Sequence, residues 1–301
     1  LFVPPAKGGG MEIYMENILE ISKLNKSYTN FSLTDVSFSL PDNSITGFIG
    51  VNGSGKTTTI RSILGLVKFN SGIIKLFGQD INKNIKTLKE RVGVVLDEGG
   101  FYEEFSMSEM KGIVAPAYKN WQEQDYKDYM EQFGLNPKQK ISTLSKGMKM
   151  KFSLALALSH KAELLIMDEP TSGLDPLIRS QMLKILADYI KKSGRAVFFS
   201  THITSDLEQI ADRLILIDNG RILFQEKKDT LLEAYRIVKG DSRLLNTESR
   251  KLFLSLNPMD CSFIGLTDKP EEIARIMPDA LMERPTIENI MLGKIERGDA
   301  S

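Results

Sequence analysis

The stretch at positions 50–58 constrains the fold of this chain more than any other. It reads Gly-Val-Asn-Gly-Ser-Gly-Lys-Thr-Thr and fits the pattern G-x-x-x-x-G-K-[ST]. A β-type run, Ser44–Ile49, precedes it, and apolar residues follow at helical spacing over 57–67. Glycines let the backbone wrap closely around phosphate oxygens, and a helix start adds roughly half a positive charge. The pattern therefore predicts a phosphate-binding loop between a strand and a helix, with an ordinary glycine-rich turn as the alternative.

Two residues of this stretch have a specific chemical role. Lys56 is expected to neutralise the β- and γ-phosphates of a nucleotide, and the Thr57 hydroxyl is expected to ligate Mg²⁺. The residues expected to contact the nucleotide are Asn52, Gly53, Ser54, Gly55, Lys56, Thr57 and Thr58. The dinucleotide pattern G-x-G-x-x-G is absent from the stretch, which disfavours NAD.

An acidic pair follows a second apolar run. Residues 164–167 are Leu-Leu-Ile-Met, and Asp168 and Glu169 come directly after them. A buried strand that ends in a carboxylate places this group at the edge where open α/β sheets bind their ligands. Asp168 is expected to hold Mg²⁺, and Glu169 to orient or deprotonate an attacking water. For this pair taken alone, a solvated acidic turn is the alternative.

The rest of the chain indicates a globular α/β protein. Continuous apolar runs at 92–96 and 196–199 are typical of parallel strands covered on both faces, whereas residues 18–38 predict short antiparallel strands. The 39 basic and 39 acidic residues cancel, so there is no bulk electrostatic reason to bind nucleic acid. The single cysteine, Cys261, excludes an internal disulfide. No apolar run approaches the about 20 residues of a membrane-spanning helix.

The stretch 144–148 reads Leu-Ser-Lys-Gly-Met and resembles LSGGQ, the signature of ABC-transporter ATPase subunits. Ser145 and Gly147 are retained, whereas Lys146 and Met148 depart from the common form. The resemblance implies that the signature of one subunit caps the γ-phosphate held by its partner. An ordinary helix cap is the alternative for the serine taken alone.

Three further motifs resemble the same family. Residues 172–175 are similar to its D-loop, Ser200-Thr201-His202 to its switch histidine, and Tyr28 lies where the family keeps an aromatic ring for adenine. The resemblance covers about 18–228. It implies that His202 senses the γ-phosphate and that Ser145, Gly147 and Asp175 contact ATP in trans.

The resemblance implies a RecA-like α/β core with an N-terminal antiparallel β-subdomain, an inserted helical subdomain at about 98–160 and a small C-terminal α+β unit. We expect an ATPase domain at 15–238 and an accessory domain at 239–301. Residues 1–14 are expected to be an added leader or a disordered segment. Two subunits, identical or different, would sandwich ATP and Mg²⁺. They would drive separate transmembrane permease subunits from the cytoplasmic face of the cell membrane, with no nucleic acid partner.

One departure from the family concerns the position after the strand at 92–96. The family usually has a glutamine there that touches Mg²⁺, whereas this chain has Asp97. A carboxylate is a hard oxygen ligand, so Asp97 is a candidate neighbour of the cation. Acidic residues here, and the tail at 284–291, resemble the ABC-2-type exporter branch, which implies export.

A cluster of apolar side chains follows Asp97 in a loop-like stretch: Phe101, Tyr102, Phe105, Met107 and Met110. Exposed groups of this kind predict a groove for a cytoplasmic permease helix, and packing within the helical insertion is the alternative. Two other functions stay open. A soluble ABC-type ATPase of DNA repair or translation would share these motifs without a permease, and a phosphate-loop small-molecule kinase would not need residues 144–148. Glu169 disfavours a non-catalytic, nucleotide-gated module.

Overall fold

The structure is a computed structural model that describes residues 17–96 and 100–299. The strands are β1 (Asn17–Ser27), β2 (Ser32–Pro41), β3 (Ser44–Ile49), β4 (Ser71–Leu76), β5 (Gln79–Asp80), β6 (Val92–Val95), β7 (Leu164–Asp168), β8 (Ala196–Thr201), β9 (Arg213–Asp218), β10 (Arg221–Lys227), β11 (Arg236–Asp241), β12 (Ser255–Pro258), β13 (Ser262–Thr267) and β14 (Leu281–Glu283). The α-helices are α1 (Lys56–Ile63), α2 (Ile81–Lys89), α3 (Met107–Val114), α4 (Glu123–Gln132), α5 (Lys146–Leu158), α6 (Pro176–Tyr189), α7 (Thr204–Ile210), α8 (Lys228–Ala234), α9 (Thr247–Arg250), α10 (Pro270–Ile276) and α11 (Ile287–Asp299). Within the described ranges, no helix combines the length and the apolar character that a membrane span requires.

The central sheet has six strands in the order β10-β9-β3-β8-β7-β6. Its strands run parallel except β10, which pairs antiparallel with β9. Every residue of β3, β7 and β8 is buried, because other elements cover both faces of the sheet, and the sequence of these strands is correspondingly apolar. The predicted parallel α/β sheet is confirmed. The carboxyl ends of β3, β7 and β8 meet at one edge.

The second sheet is antiparallel, with the order β2-β1-β4-β5. At 11 and 10 residues, β1 and β2 are longer than the short strands that the sequence predicted. Register shifts interrupt their pairing, for instance between Ile21 and Leu24, and these bulges disturb the alternation that marks a long strand. Phe38 of this sheet packs against Phe48 and Phe198 of the central sheet, with ring centroids 5.6 Å away in both cases.

Helix α1 ends at Ile63, four residues before the predicted end of the helical pattern at 67. Gly65 adopts a left-handed conformation with φ 61°. The N–H of Leu66 then donates to the carbonyl oxygen of Arg61 at 2.8 Å, which closes the end of the helix. The apolar periodicity therefore continues past the glycine, but the helix does not.

The helical insertion contains α3, α4 and α5. Helix α3 begins at a capping box in which Ser106 and Glu109 bond each other's backbone N–H. The stretch that the sequence predicted as loop-like is therefore helical from Met107 onward. Met107 and Met110 are 0% and 6% exposed, so the predicted exposure of these two side chains is wrong, although Met110 is among the residues that line a groove beside β6. They pack in the core of the insertion because α3 turns them toward α5.

The C-terminal unit is built on an antiparallel sheet of four strands in the order β12-β13-β11-β14. β13 and β14 flank β11 and run parallel to each other, and α10 connects them, which gives a split βαβ arrangement. Strand β11 begins at Arg236, so the predicted boundary between 238 and 239 falls inside a strand. Ile287, Ile290 and Met291 of α11 are buried in the same hydrophobic cluster as Leu207 of α7.

Candidate nucleotide-binding site

The phosphate loop connects β3 to α1 at the carboxyl edge of the central sheet. Gly53 and Gly55 have left-handed backbone angles, φ 82° and 115°, which favour glycine. A Cβ atom on Gly50 would lie 2.3 Å from the carbonyl oxygen of Ile217, so only glycine allows this approach to β9. The Ser54 hydroxyl is buried without a hydrogen-bond partner in the described ranges, and α1 begins without a side-chain cap. The loop therefore presents unsatisfied donors, as a phosphate site requires.

The Lys56 side chain lies inside this loop and is nearly inaccessible to solvent. Its Nζ donates to the carbonyl oxygens of Gly50 at 2.7 Å and Val51 at 3.2 Å. The same Nζ lies 3.3 Å from Oε1 of Glu169. A bound phosphate would compete with these three oxygens for the ammonium, because it carries more negative charge than they do.

The acidic pair lies where β7 ends beside β8. Ser200 Oγ donates to Oδ1 of Asp168 at 2.6 Å, and no described residue donates to Oδ2. Glu169 has φ 49°, which is uncommon for a residue with a side chain. Its N–H donates to both the carbonyl oxygen and Oγ of Ser200, each at 3.1 Å, and these bonds hold the unusual conformation. Backbone strain of this kind clusters at functional sites.

Glu169 also contacts the predicted switch histidine. Its Oε2 accepts a hydrogen bond from the backbone N–H of His202 at 3.3 Å and lies 2.8 Å from ring atom Nδ1. The Glu169 side chain is 15% exposed and that of His202 is 42% exposed. The structure thus brings Lys56, Glu169 and His202, the three residues predicted to be catalytic, into one network.

The predicted Mg²⁺ ligands come from two elements in contact, with Thr57 in the first turn of α1 and Asp168 at the end of β7. No group of three or more His, Cys, Asp or Glu side chains in the described part of the chain could hold a metal. A hydroxyl and one carboxylate nevertheless fit Mg²⁺ that takes its other oxygens from nucleotide phosphates and water. Asp97 lies outside the described residues, and its role stays a prediction.

Two aromatic residues flank the phosphate loop in the turn between β1 and β2. Tyr28 is 47% exposed, and Lys26 Nζ lies 4.9 Å from the centroid of its ring. The Tyr28 N–H donates to the carbonyl oxygen of Phe31, whose ring would lie 2.9 Å from a Cβ atom on Gly55. The contact of Phe31 with Gly55 places the turn beside the loop, and the exposed Tyr28 ring is able to stack on a base.

The signature residues begin α5. Ser145 is the N-cap of this helix, and its Oγ accepts a hydrogen bond from the N–H of Met148 at 3.2 Å. A Cβ atom on Gly147 would lie 2.6 Å from Ile178 in α6, so glycine permits this close packing. Lys146 replaces the first glycine of the common signature, and its Nζ lies 3.6 Å from where a Cβ atom on Gly173 would be. The lysine side chain therefore extends across the predicted D-loop.

Asp175 ends the D-loop and caps α6. Its Oδ1 accepts hydrogen bonds from the N–H groups of Leu177 at 3.1 Å and Ile178 at 3.0 Å. The signature and the D-loop thus lie side by side in this subunit. Across the described ranges, no hydrogen bond or ion pair joins Ser145 or Asp175 to the phosphate loop.

Two residues that shape the site, Ser200 and Phe31, were not predicted from the sequence. Ser200 holds both Asp168 and Glu169, and the signal for it is strand register, since Asp168 pairs directly with Ser200 between β7 and β8. Phe31 packs on Gly55, and its signal is an aromatic residue in a turn between two predicted strands.

The fold and the site define a phosphate-loop ATPase, and comparison with known proteins identifies the family. Residues 33–172 match the family described as ABC transporter. The chain is 35% identical over 225 residues to the bacitracin transport ATP-binding protein BcrA of Bacillus licheniformis, covering 74% of each chain. It is 34% identical over 212 residues to the linearmycin resistance ATP-binding protein LnrL of Bacillus subtilis (strain 168), covering 68% of each. A solved ATP-binding subunit of an ABC transporter matches it with a TM-score of 0.66 and 29% identity, over 72% of this chain and 92% of that one.

The chain therefore belongs to the ABC transporter ATPase family. It is the ATP-binding subunit of such a transporter, and ATP hydrolysis is its activity. The predicted resemblance and fold class are confirmed.

Proposed function

We propose that this subunit holds ATP and Mg²⁺ between its own phosphate loop and the signature of a second subunit, and that Glu169 activates the attacking water. The observation that carries the proposal is the position of the Glu169 carboxylate, 3.3 Å from Lys56 Nζ and 2.8 Å from His202 Nδ1. The reaction is transfer of the γ-phosphoryl group of ATP to water, with ADP and phosphate as products.

The contacts of Lys56 indicate how ATP binding would release the Glu169 carboxylate for hydrolysis. When ATP binds, its phosphate oxygens take the ammonium from Gly50, Val51 and Glu169. Oε1 of Glu169 is then free to accept a proton from the attacking water. His202 retains Oε2 through its backbone N–H and so keeps the carboxylate in place. Thr57 and Asp168 would hold Mg²⁺, which would supply neutralising charge at the phosphates.

A two-subunit site is supported by the lack, within the described residues of one chain, of any hydrogen bond or ion pair between the signature and the phosphate loop. Because both half-sites are present in each chain, a homodimer would have two complete sites, and a different ATPase subunit can take the same place. The Ser145 N-cap and the N–H groups of the first turn of α5 would contact the γ-phosphate across the interface.

A complementation experiment tests the trans arrangement. One subunit carries Lys56→Ala and the other carries Ser145→Arg, and each is inactive alone. When they are mixed, every mixed dimer contains one site with an intact loop and an intact signature. Random pairing makes about half of the dimers mixed, so about a quarter of the parental ATPase rate should return. A mixture as inactive as its components would contradict a shared site.

A surface near the end of β6 supports a membrane partner. A groove of about 230 Å³ lies between β6 and the helical insertion, and Leu96 and Phe101 are among its lining residues. Next in the chain, Tyr102 and Phe105 are 63% and 37% exposed, and their ring centroids lie 5.4 Å apart. Exposed aromatic residues beside an apolar groove are typical of an interface. This surface would receive a cytoplasmic permease helix and hold the subunit at the membrane.

The matched test of this surface uses exposed residues only, because Phe101 packs on Phe152 with centroids 5.1 Å apart. The double variant Tyr102→Ser, Phe105→Ser should keep its melting temperature and basal ATPase but no longer co-purify with the permease. Leu66→Ser removes another exposed apolar side chain, 58% exposed, and should leave co-purification unchanged. Loss of stability with intact co-purification would show that the rings serve folding instead.

The direction of transport is proposed to be export. Two relatives are named for bacitracin transport and for linearmycin resistance, and outward transport of such compounds by this chain's transporter is consistent with both names. The test is efflux of such compounds from cells that contain this subunit and its permease, with Glu169→Gln as the inactive control.

A further inference from the structure

The C-terminal sheet has one covered face and one that is only partly covered. On the first face α10 completes a core that is almost inaccessible to solvent, formed by Val238, Phe263, Ile273 and Met277. On the second face α11 comes close at Gly293, where a Cβ atom would lie 2.5 Å from Leu266. Ile264 and Leu281 both pair with Lys239 of β11, so their side chains lie on this second face. They lie beyond the contact with α11 and are 37% and 58% exposed.

A groove of about 410 Å³ lies between α11 and this second face. Its apolar lining includes Ile237, Ile264 and Leu292, and its polar lining includes Asn257, Asn289 and Glu296. Glu296 is the charged residue in the lining, and within the described ranges its carboxylate has no hydrogen-bond or ion-pair partner. A volume of this size is typical of sites for small molecules.

We propose that this groove binds a small amphipathic cation, a molecule with an apolar body and one ammonium group. The apolar body covers Ile237, Ile264 and Leu292, and the ammonium group pairs with Glu296. An anion of the same shape is disfavoured because the Glu296 carboxylate repels it, and the basic residue on this face, Lys239, is paired with Glu283 at 2.6 Å. The site goes beyond the nucleotide chemistry, since none of its residues belongs to the phosphate loop, the signature or the catalytic network.

Helix α11 connects the groove to the ATP site. The backbone N–H of Ile287, at the start of α11, donates to Oε1 of Glu208 in α7 at 2.8 Å. Helix α7 begins at Thr204, two residues after the switch histidine His202. Ile287 and Leu207 are both fully buried in one cluster, so α11 and α7 are packed together. A ligand that favours one position of α11 therefore also favours one position of α7.

The binding experiment uses the full chain without nucleotide and n-octylammonium as the probe, below the concentration at which it aggregates. Calorimetric titration should show saturable binding, and n-octanoate, the matched anion, should bind much more weakly. Glu296→Gln should weaken binding of the cation roughly two- to fivefold, as expected for a partly exposed ion pair. Glu288→Gln, a control on the same helix outside the groove, should change nothing. Leu292→Ser should weaken both probes, and its side chain is 46% exposed, so folding is retained.

Three results would overturn the site. The first is an absence of saturable binding, and the second is equal affinity for the cation and the anion. The third is nucleotide-independent self-association that Leu292→Ser abolishes, which would assign the groove to a second copy of this chain. Since no nucleotide is present, a failure here leaves the proposed ATPase mechanism untouched.

The coupling is tested separately by the ATPase rate. Saturating n-octylammonium should change the basal rate of the parental protein, and Glu208→Ala, which removes the oxygen that accepts from the Ile287 N–H, should remove that change while octylammonium still binds. An ATPase rate that is insensitive to bound octylammonium would refute the connection through α11 and α7.

Discussion

Both edges of the central sheet carry an ion pair between a basic side chain and a glutamate, and the two pairs are built differently. At the amino edge Arg91 donates two hydrogen bonds of 2.6 Å to Glu163, and its guanidinium lies 3.7 Å from the centroid of the Phe77 ring. These two side chains are 36% and 41% exposed. At the carboxyl edge Lys56 and Glu169 are 6% and 15% exposed and lie 3.3 Å apart.

The difference separates a structural pair from a reactive one. The Arg91–Glu163 pair uses two parallel bonds and has little left to offer a ligand. Oε1 of Glu169, in contrast, is buried without a hydrogen bond in the described part of the chain, and Lys56 divides its charge among three oxygens. An incompletely satisfied buried pair costs free energy, and a phosphate that replaces one of the partners recovers it.

The largest effect is expected from Lys56→Ala. The β- and γ-phosphates lose their main cationic partner, so the ATPase rate should fall by roughly 100-fold or more. The measurement is phosphate release by the purified protein. Arg91→Ala removes the corresponding cation at the other edge and should leave the rate within about twofold. Near-parental hydrolysis by the Lys56→Ala protein would show that the Lys56–Glu169 pair is not a reactive pair.

Glu169→Gln tests the glutamate of the same pair. An amide holds water but does not accept its proton, so hydrolysis should fall by roughly 100- to 10,000-fold while ATP binding persists. Size-exclusion chromatography with ATP and Mg²⁺ should then show a stable dimer. Glu163→Gln is the matched change at the amino edge and should hydrolyse ATP normally. Parental turnover by Glu169→Gln would rule out its role as the base.

His160, like Arg91, stacks on an aromatic ring, but it is buried. Its ring centroid lies 3.8 Å from that of Tyr118. Burial lowers the pKa of His160 to about 4, from 6.5. The unfolded chain therefore binds this proton first as the pH falls. The contribution to stability is complete above pH 6.5 and is lost between pH 6.5 and pH 4, by at most about 1.4 kcal/mol per pH unit.

Chemical denaturation at several pH values measures this effect. His160→Phe should lose much of the decline in unfolding free energy between pH 6.5 and pH 4. The chain has two histidines, and His202→Gln, a change at the exposed one, should keep the decline. Parallel curves for the parental and His160→Phe proteins would show that other groups control acid stability.

The smallest effect is expected for the stability of Arg91→Ala. The lost pair is partly exposed and the contact with Phe77 is lost with it, so unfolding free energy should fall by about 1 kcal/mol. Denaturant titration measures the change, and Arg91→Lys should recover only part of it because lysine cannot form two parallel bonds. A loss of several kcal/mol would mean that the Arg91–Glu163 pair stabilises the amino edge more than a partly exposed ion pair can.

Much of the fold could be predicted because its signals are local. The runs at 164–167 and 196–199 are apolar throughout, and each forms a strand covered on both faces. The glycines of the phosphate loop are needed for backbone angles that few other residues adopt, so their spacing indicated the loop's conformation. Both kinds of signal depend on neighbours along the chain.

Other features could not be predicted because they depend on segments far apart in the sequence. Met107 and Met110 look like surface groups until α3 packs against α5, and β1 and β2 look short because their bulges depend on pairing. Ser200 acquires its role only from its register with Asp168.

The phosphate loop, the strands of the central sheet and the family of the chain could all be recognised in the amino-acid sequence, because short-range spacing and apolar runs specify them. The network of Lys56, Glu169 and His202, and the groove that α11 leaves on the C-terminal sheet, become visible only in the folded protein. These arrangements depend on parallel strand order and on which helix covers which face. Both are set by packing between segments that are distant in the sequence, and the local pattern of residues in one segment does not indicate which other segment will pack against it.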